Sequence, residues 1–133
     1  MRCIIWGDGD IANDDNTYGS ISDFRLKTDI NVARSYWEDF KRLQFKTFKK
    51  TYDGELGQNR FGLIAQEVQE VFPSLVQYGN DGFLWVKNSV IHEIGMSVLI
   101  ETQNRVETIE EKVERLETEN AELTSRIELL EAA

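Results

Sequence analysis

One cysteine, one histidine and one proline are all that 133 residues contain of those types, and each scarcity removes a class of explanation. With Cys3 alone there is no intrachain disulfide and no cysteine-based metal cluster, so stability has to come from packing or association. Cys3 lies in a short apolar run, Cys3 to Trp6, and is read as a small buried residue rather than a nucleophile. His92 stands beside Glu93 early on a predicted long helix, and with no second histidine it is read as a helix-surface or packing residue, not a triad member or half of a metal pair. No apolar run reaches the roughly eighteen residues that a bilayer span needs, and the start MRCIIWGDGD lacks the apolar core and cleavage site of a secretion signal, so no membrane partner is expected. Basic charge is short as well. Fifteen Lys and Arg face twenty-four Asp and Glu for a net charge of -9, which argues against a general nucleic-acid backbone binder.

What is present is uneven. The chain is 41% hydrophobic, 11% aromatic and 29% charged, enough apolar material for one modest core with extensions. From Glu101 to Ala133 ten glutamates face four basic residues, two thirds of the total net charge in a quarter of the chain. From Ser22 to Lys50 the balance reverses to +4, a face of mixed, solvated charge. The segment Gly7 to Asn16 gathers Asp8, Asp10, Asn13, Asp14, Asp15 and Asn16. Clustered carboxylates suggest calcium, but Ala12 falls where an oxygen ligand belongs and no glutamate closes the loop, so an acidic surface loop is the expectation and no metal or cofactor is assigned.

The pattern of apolar residues predicts an α+β chain. A strand end at Cys3 to Trp6 precedes an exposed loop of turn formers. Ile30, Val32, Ala33, Tyr36, Trp37, Phe40 and Leu43 recur at three- and four-residue steps, predicting an amphipathic helix from Ile30 to Leu43. Phe45 to Tyr52 predicts a hairpin strand turning at Asp53-Gly54, with Phe61 to Ile64 as its partner. A short helix from Ala65 to Phe72 is stopped by Pro73, and Leu75 to Tyr78 and Phe83 to Val86 are strands joined by Gly79-Asn80-Asp81-Gly82. Asn88-Ser89 is read as the cap of a helix that runs to the end of the sequence.

That last helix carries heptads: Val106, Val113, Asn120 and Ile127 at a, Ile109, Leu116, Leu123 and Leu130 at d. So long a helix cannot bury such a stripe on so small a core, and the stripe needs copies of itself. Arg105 with Glu110, Lys112 with Glu117 and Arg126 with Glu131 are opposite-sign pairs from g to the following e, as a parallel coiled coil requires. Val at a, Leu at d and one Asn lean toward two strands.

With histidine scarce, the remaining route to an activated hydroxyl is a serine-lysine pair, and Ser22 and Lys27 stand five residues apart in Ser22-Asp23-Phe24-Arg25-Leu26-Lys27. A lysine acts as a base only when burial or a neighbouring cation favours its neutral form, and Arg25 is the nearest such cation in sequence. The string Ser22 to Ile30, followed about thirty residues later by Gly62-Leu63-Ile64-Ala65-Gln66-Glu67-Val68, then Pro73 and a heptad helix, resembles the intramolecular chaperone of endosialidase family, the S74 self-cleaving serine peptidases that end bacteriophage tail spikes, tail fibres and neck appendages. The resemblance spans Ser22 to the C terminus, roughly five sixths of the chain.

It implies a homotrimer, with the helix as a parallel trimeric coiled coil, that helps an upstream β-rich fibre or spike of the same chain fold in register and then cuts itself off. It implies Ser22 as nucleophile, Lys27 as general base and Ile21-Ser22 as the scissile bond. Residues 1–21 would be the end of the fibre and the cleavage-site loop, 22–88 the α+β chaperone unit and 89–133 the long helix. The setting would be the host cytoplasm during phage assembly, the fibre passing to the virion tail. Ser20 is a rival nucleophile. Gln66 and Glu67 are expected to tie the short helix to a neighbouring chain or to the long helix. Two other functions compete: the same trimer acting only as a non-proteolytic registration module, and a zipper transcription factor. The second needs a basic region before the zipper, and Ser89 to Asn104 contains no Lys or Arg.

Overall fold

The computed structural model describes residues 3–7, 9–15 and 17–133, in two compact units that divide between Ala33 and Arg34. In the first unit, strand β1 (Cys3–Ile5) pairs antiparallel with β2 (Ile11–Asn13), Cys3 opposite Asn13 and Ile5 opposite Ile11. The turn closes with Trp6 N donating to Asp10 O at 2.9 Å, and Gly9 takes φ +96°, a conformation glycine adopts without Cβ strain. The exposed loop expected after Trp6 is thus partly a second strand. Cys3 is exposed, contrary to the buried role expected of it, because a two-stranded ribbon has no second layer to cover either face. Among the described residues no group of His, Cys, Asp or Glu could hold a metal ion; Asp8 and Asn16 of the acidic segment lie outside them.

The second unit holds the core. Helix α1 is Trp37–Phe40, strand β3 (Lys46–Phe48) pairs antiparallel with β4 (Arg60–Gly62), α2 is Ala65–Val71, β5 (Val76–Tyr78) pairs antiparallel with β6 (Leu84–Val86), and α3 runs from Asn88 to Glu131. Val68 of α2, Phe72 just after it, Leu75 of the following turn, Val76 of β5 and Ile91 of α3 are buried together, with Tyr36, Phe40, Leu43, Leu63 and Ile94 packed around them. Pro73 ends α2 as expected, and the chain passes through a 3-10 turn, Pro73–Leu75, into β5. Lys87 N donates to Leu75 O at 2.9 Å, tying the end of β6 beside that turn at the point where α3 begins.

Three local expectations are corrected. Helix from Ile30 to Leu43 shrinks to α1: Asp29 sits at φ +52°, Asn31 Nδ2 donates to Asp29 O at 2.9 Å, and the β-branched Val32 is 100% exposed. Side chains that bond to nearby backbone compete with helix, and β-branched residues pay rotamer freedom inside one. The strand expected from Phe45 to Tyr52 pairs only over Lys46–Phe48; Thr51–Asp53 is a 3-10 turn leading to Gly54 at φ +69°. Asn88 does not cap α3 through its side chain, since it is already the first helical residue and Lys87 occupies the cap.

At about 1.5 Å per residue, the 44 residues of α3 extend roughly 66 Å. Ile91 is the one residue of α3 that the core fully buries, and from Gln103 to Ala133 every residue is exposed. Val106, Ile109, Val113, Leu116, Leu123, Ile127 and Leu130 form a bare apolar stripe on this single chain. No helix among the described residues is long and apolar enough to cross a membrane.

Candidate active site

Residues 14–23 carry no regular secondary structure among those described, and Ile21 is 86% exposed, so the Ile21-Ser22 peptide lies in open, unpaired chain. Immediately after it the chain turns. Asp23 takes an extended conformation and caps a 3-10 turn over Phe24–Leu26, its Oδ1 accepting from Arg25 N at 2.9 Å, while Leu26 N donates to Asp23 O and Lys27 N to Phe24 O, each at 3.1 Å. An aspartate in this position satisfies amides that the turn leaves without partners.

The turn folds Lys27 back on Ser22. Lys27 Nζ donates to Ser22 Oγ at 2.6 Å, a separation that also suits the reverse transfer, in which a neutral amine accepts the hydroxyl proton. Both side chains are exposed in this unit. Arg25, the cation nearest the pair in sequence, is engaged elsewhere: its guanidinium grips Asp23 through Nε at 3.0 and 3.1 Å and Nη2 at 2.6 Å. The Arg25 guanidinium, and then its backbone amide, hold the Asp23 carboxyl below its ordinary range, and Asp23 in turn raises Arg25. The Asp23–Arg25 clamp therefore shapes the turn rather than acting on the lysine. Sequence reasoning did not single it out, although an aspartate two residues before an arginine at a turn start is a readable capping signal.

Residues 22–77 match a protein-family model described as chaperone of endosialidase, Peptidase_S74. Over that segment the chain is similar to the chaperone of endosialidase family. No curated protein matches the chain at a significant level.

The chaperone of endosialidase segment opens on Ser22 and ends within β5, so it takes in the Ser22–Lys27 turn, α1, the β3–β4 hairpin and α2. The Gly62 to Val68 motif lies in the second unit. Val68 is 1% exposed in the core and Ala65 packs beside it, as expected. Glu67 pairs with Lys46, so the tie runs from α2 to β3, rather than to the long helix as one of the two expected ties had it. The other carboxylate oxygen, Oε2, is covered and without a partner.

On the self-cleaving reading that the resemblance implies, Glu67 is support, and Glu67→Ala is expected to assemble and process normally. Both members of the pair are about two fifths exposed, so its loss should cost no more than about 1 kcal/mol, read as a small fall in Tm. A Glu67→Ala protein that assembles but no longer cuts would place this carboxylate in the chemistry instead.

Proposed function

We propose that this chain is an intramolecular chaperone that assembles as a parallel homotrimer through α3, holds an upstream β-rich fibre or spike segment of the same chain in register, and then releases itself by cutting the Ile21-Ser22 bond. The observation that carries the reading is the 2.6 Å contact between Ser22 Oγ and Lys27 Nζ beside an exposed peptide bond, at the first residue of a chaperone of endosialidase segment.

The chemistry balances with these groups alone. Lys27, as the neutral amine, takes the proton of Ser22 Oγ, and the oxygen attacks the carbonyl carbon of Ile21. The tetrahedral intermediate expels the Ser22 nitrogen, which takes up a proton from Lys27, and leaves Ile21 esterified to Ser22 Oγ. Water then hydrolyses the ester to an Ile21 carboxylate and a free Ser22 hydroxyl. Each chain turns over once. An ammonium has no lone pair with which to accept a proton, and desolvation favours the neutral amine, so docking of neighbouring subunits over the turn would favour the reactive form. Assembly then gates cleavage.

The physical rationale for such a device is general. A long β fibre of three chains has high contact order and unpaired edges, so it folds slowly and is open to wrong pairing. A coiled coil forms from local contacts and raises the effective concentration of the chains attached to it. Once it is cut away, the fibre cannot readily retrace its folding. Partners on this reading are the other two copies and the fibre, in the host cytoplasm during phage assembly, with no role for nucleic acid or membrane.

Intact mass tests it. The expected product spans Ser22 to Ala133 with serine at its new N terminus; a full-length mass that never changes in the assembled protein would leave a trimerisation module without proteolysis.

A further inference from the structure

Carried back from Val106 and Ile109, the heptad register of α3 places Leu99 and His92 at a, and Thr102 and Gly95 at d. These upstream d positions already have neighbours in their own chain. Gly95 faces the Phe40 ring of α1, where a Cβ would lie 3.1 Å from the ring edge. Thr102 is half-buried and donates to Val98 O at 2.8 Å. Alongside, Ser35 Oγ donates to Glu101 Oε2 at 2.6 Å, Arg105 donates to Glu101 Oε1 at 2.6 and 3.1 Å, and the Arg105 guanidinium stacks 4.2 Å over the Trp37 ring. The Ser35 hydroxyl, then Arg105, lower the Glu101 carboxyl from its ordinary value, so this latch is complete at neutral pH and is lost as the pH falls through the lowered value.

Helix α1 therefore covers the flank of α3 that a parallel neighbour would need for a layer at Gly95, and its Trp37 end lies under Arg105, where the bare apolar stripe begins. Between the half-buried indole and that stripe lies an open groove lined by Trp37, Thr102, Arg105, Val106, Ile109 and Lys112. It is continuous with the heptad seam. Its two cations occupy g positions, and the carboxylate lining it, Glu101, is already held by Ser35 and Arg105. A parallel copy presents Glu110 and Glu117 at e to those same cations.

We propose that this groove seats α3 of a second copy of the chain, so that Trp37 is part of the interface between copies and sets the start of the coil at Val106. The inference rests on the assembly proposed above. Aromatic anchors walled by charged pairs are where truncation costs most at interfaces, and an indole held under Arg105 needs little further ordering when the neighbour arrives.

Single cysteines at a positions, in a Cys3→Ser background, read the start of the coil through disulfide formation between copies. Val106→Cys should cross-link readily and Leu99→Cys about tenfold more slowly, because splayed helices hold the sulfurs beyond bonding reach. With Trp37→Ala added, Leu99→Cys should approach the Val106→Cys rate, and the concentration for half-assembly should rise about tenfold, the usual cost of losing an aromatic anchor. Trp37→Phe keeps a ring on α1 and should hold the Leu99 rate low, which separates loss of the groove wall from loss of the fold. A parent protein that sediments as single chains overturns both the assembly and this inference. An assembling parent in which Leu99→Cys links as fast as Val106→Cys, or in which Trp37→Ala changes neither reading, overturns this inference alone.

Discussion

Ser22→Ala and Lys27→Ala should each leave full-length, assembled protein and abolish processing, while Ser20→Ala should still cut. Ser22 lacks a substitute because the hydroxyl that Lys27 meets in the turn is its own, at 2.6 Å. Removing the nucleophile or the base from a covalent mechanism costs orders of magnitude in rate, and the two losses should not add, since the groups act as one unit. Neither change should weaken assembly, because Ser22 and Lys27 are exposed and belong to the unit that ends at Ala33, whereas the apolar stripe lies on α3. Gel mobility over time, with mass confirmation, reads all four proteins; processing that persists in Lys27→Ala at the wild-type rate would remove lysine as the base.

The second large effect belongs to the coil. Replacing Leu116 and Leu123 together by Ala should convert the assembly to single chains in sedimentation equilibrium. On one chain these leucines are 52% and 51% exposed, so if they had no partner their truncation would be nearly neutral. Buried in a d layer, each truncation removes about 2 to 5 kcal/mol of transfer and packing, repeated in every copy. The size of the response therefore distinguishes a seam from a solvated stripe. The wild type should sediment as three chains; Asn120 at an a position favours two by local preference, so a stable dimer would mark the heptad pattern, and not the family resemblance, as the better guide.

The parts of the fold that were legible in the sequence are those whose determinants are local. Heptad spacing over Val106 to Leu130 is a long, redundant pattern, and it lies on one 44-residue helix. Pro73 cannot continue α2, and Gly82 at φ +81° makes the turn between β5 and β6 nearly obligatory. Spacing misled between Ile30 and Leu43, where the three- and four-residue steps are present but Asp29, Asn31 and Val32 each favour other backbone states. The Asn88-Ser89 cap failed because Asn88 is already helical and Lys87, whose amide donates to Leu75 O twelve residues back, holds the cap position.

The site was legible as residue types and not as geometry. Five residues between a serine and a lysine say nothing of distance until Asp23 caps the intervening turn and brings them together. Arg105 was read only as a coil charge: its bond to Glu101, four residues earlier on the same helix, is a readable pair, but its stacking on Trp37 joins positions far apart in sequence. Non-local contacts of this kind carry no spacing signal.

Assembly-gated self-cleavage is the central claim, and the intact mass of the wild-type chain, followed beside that of the Leu116→Ala, Leu123→Ala chain at equal concentration, tests it most directly. The predicted result is a Ser22 to Ala133 fragment that accumulates in the assembled wild type while the dissociated variant keeps its full-length mass. A fragment appearing at the same rate in both, or in neither, would contradict it.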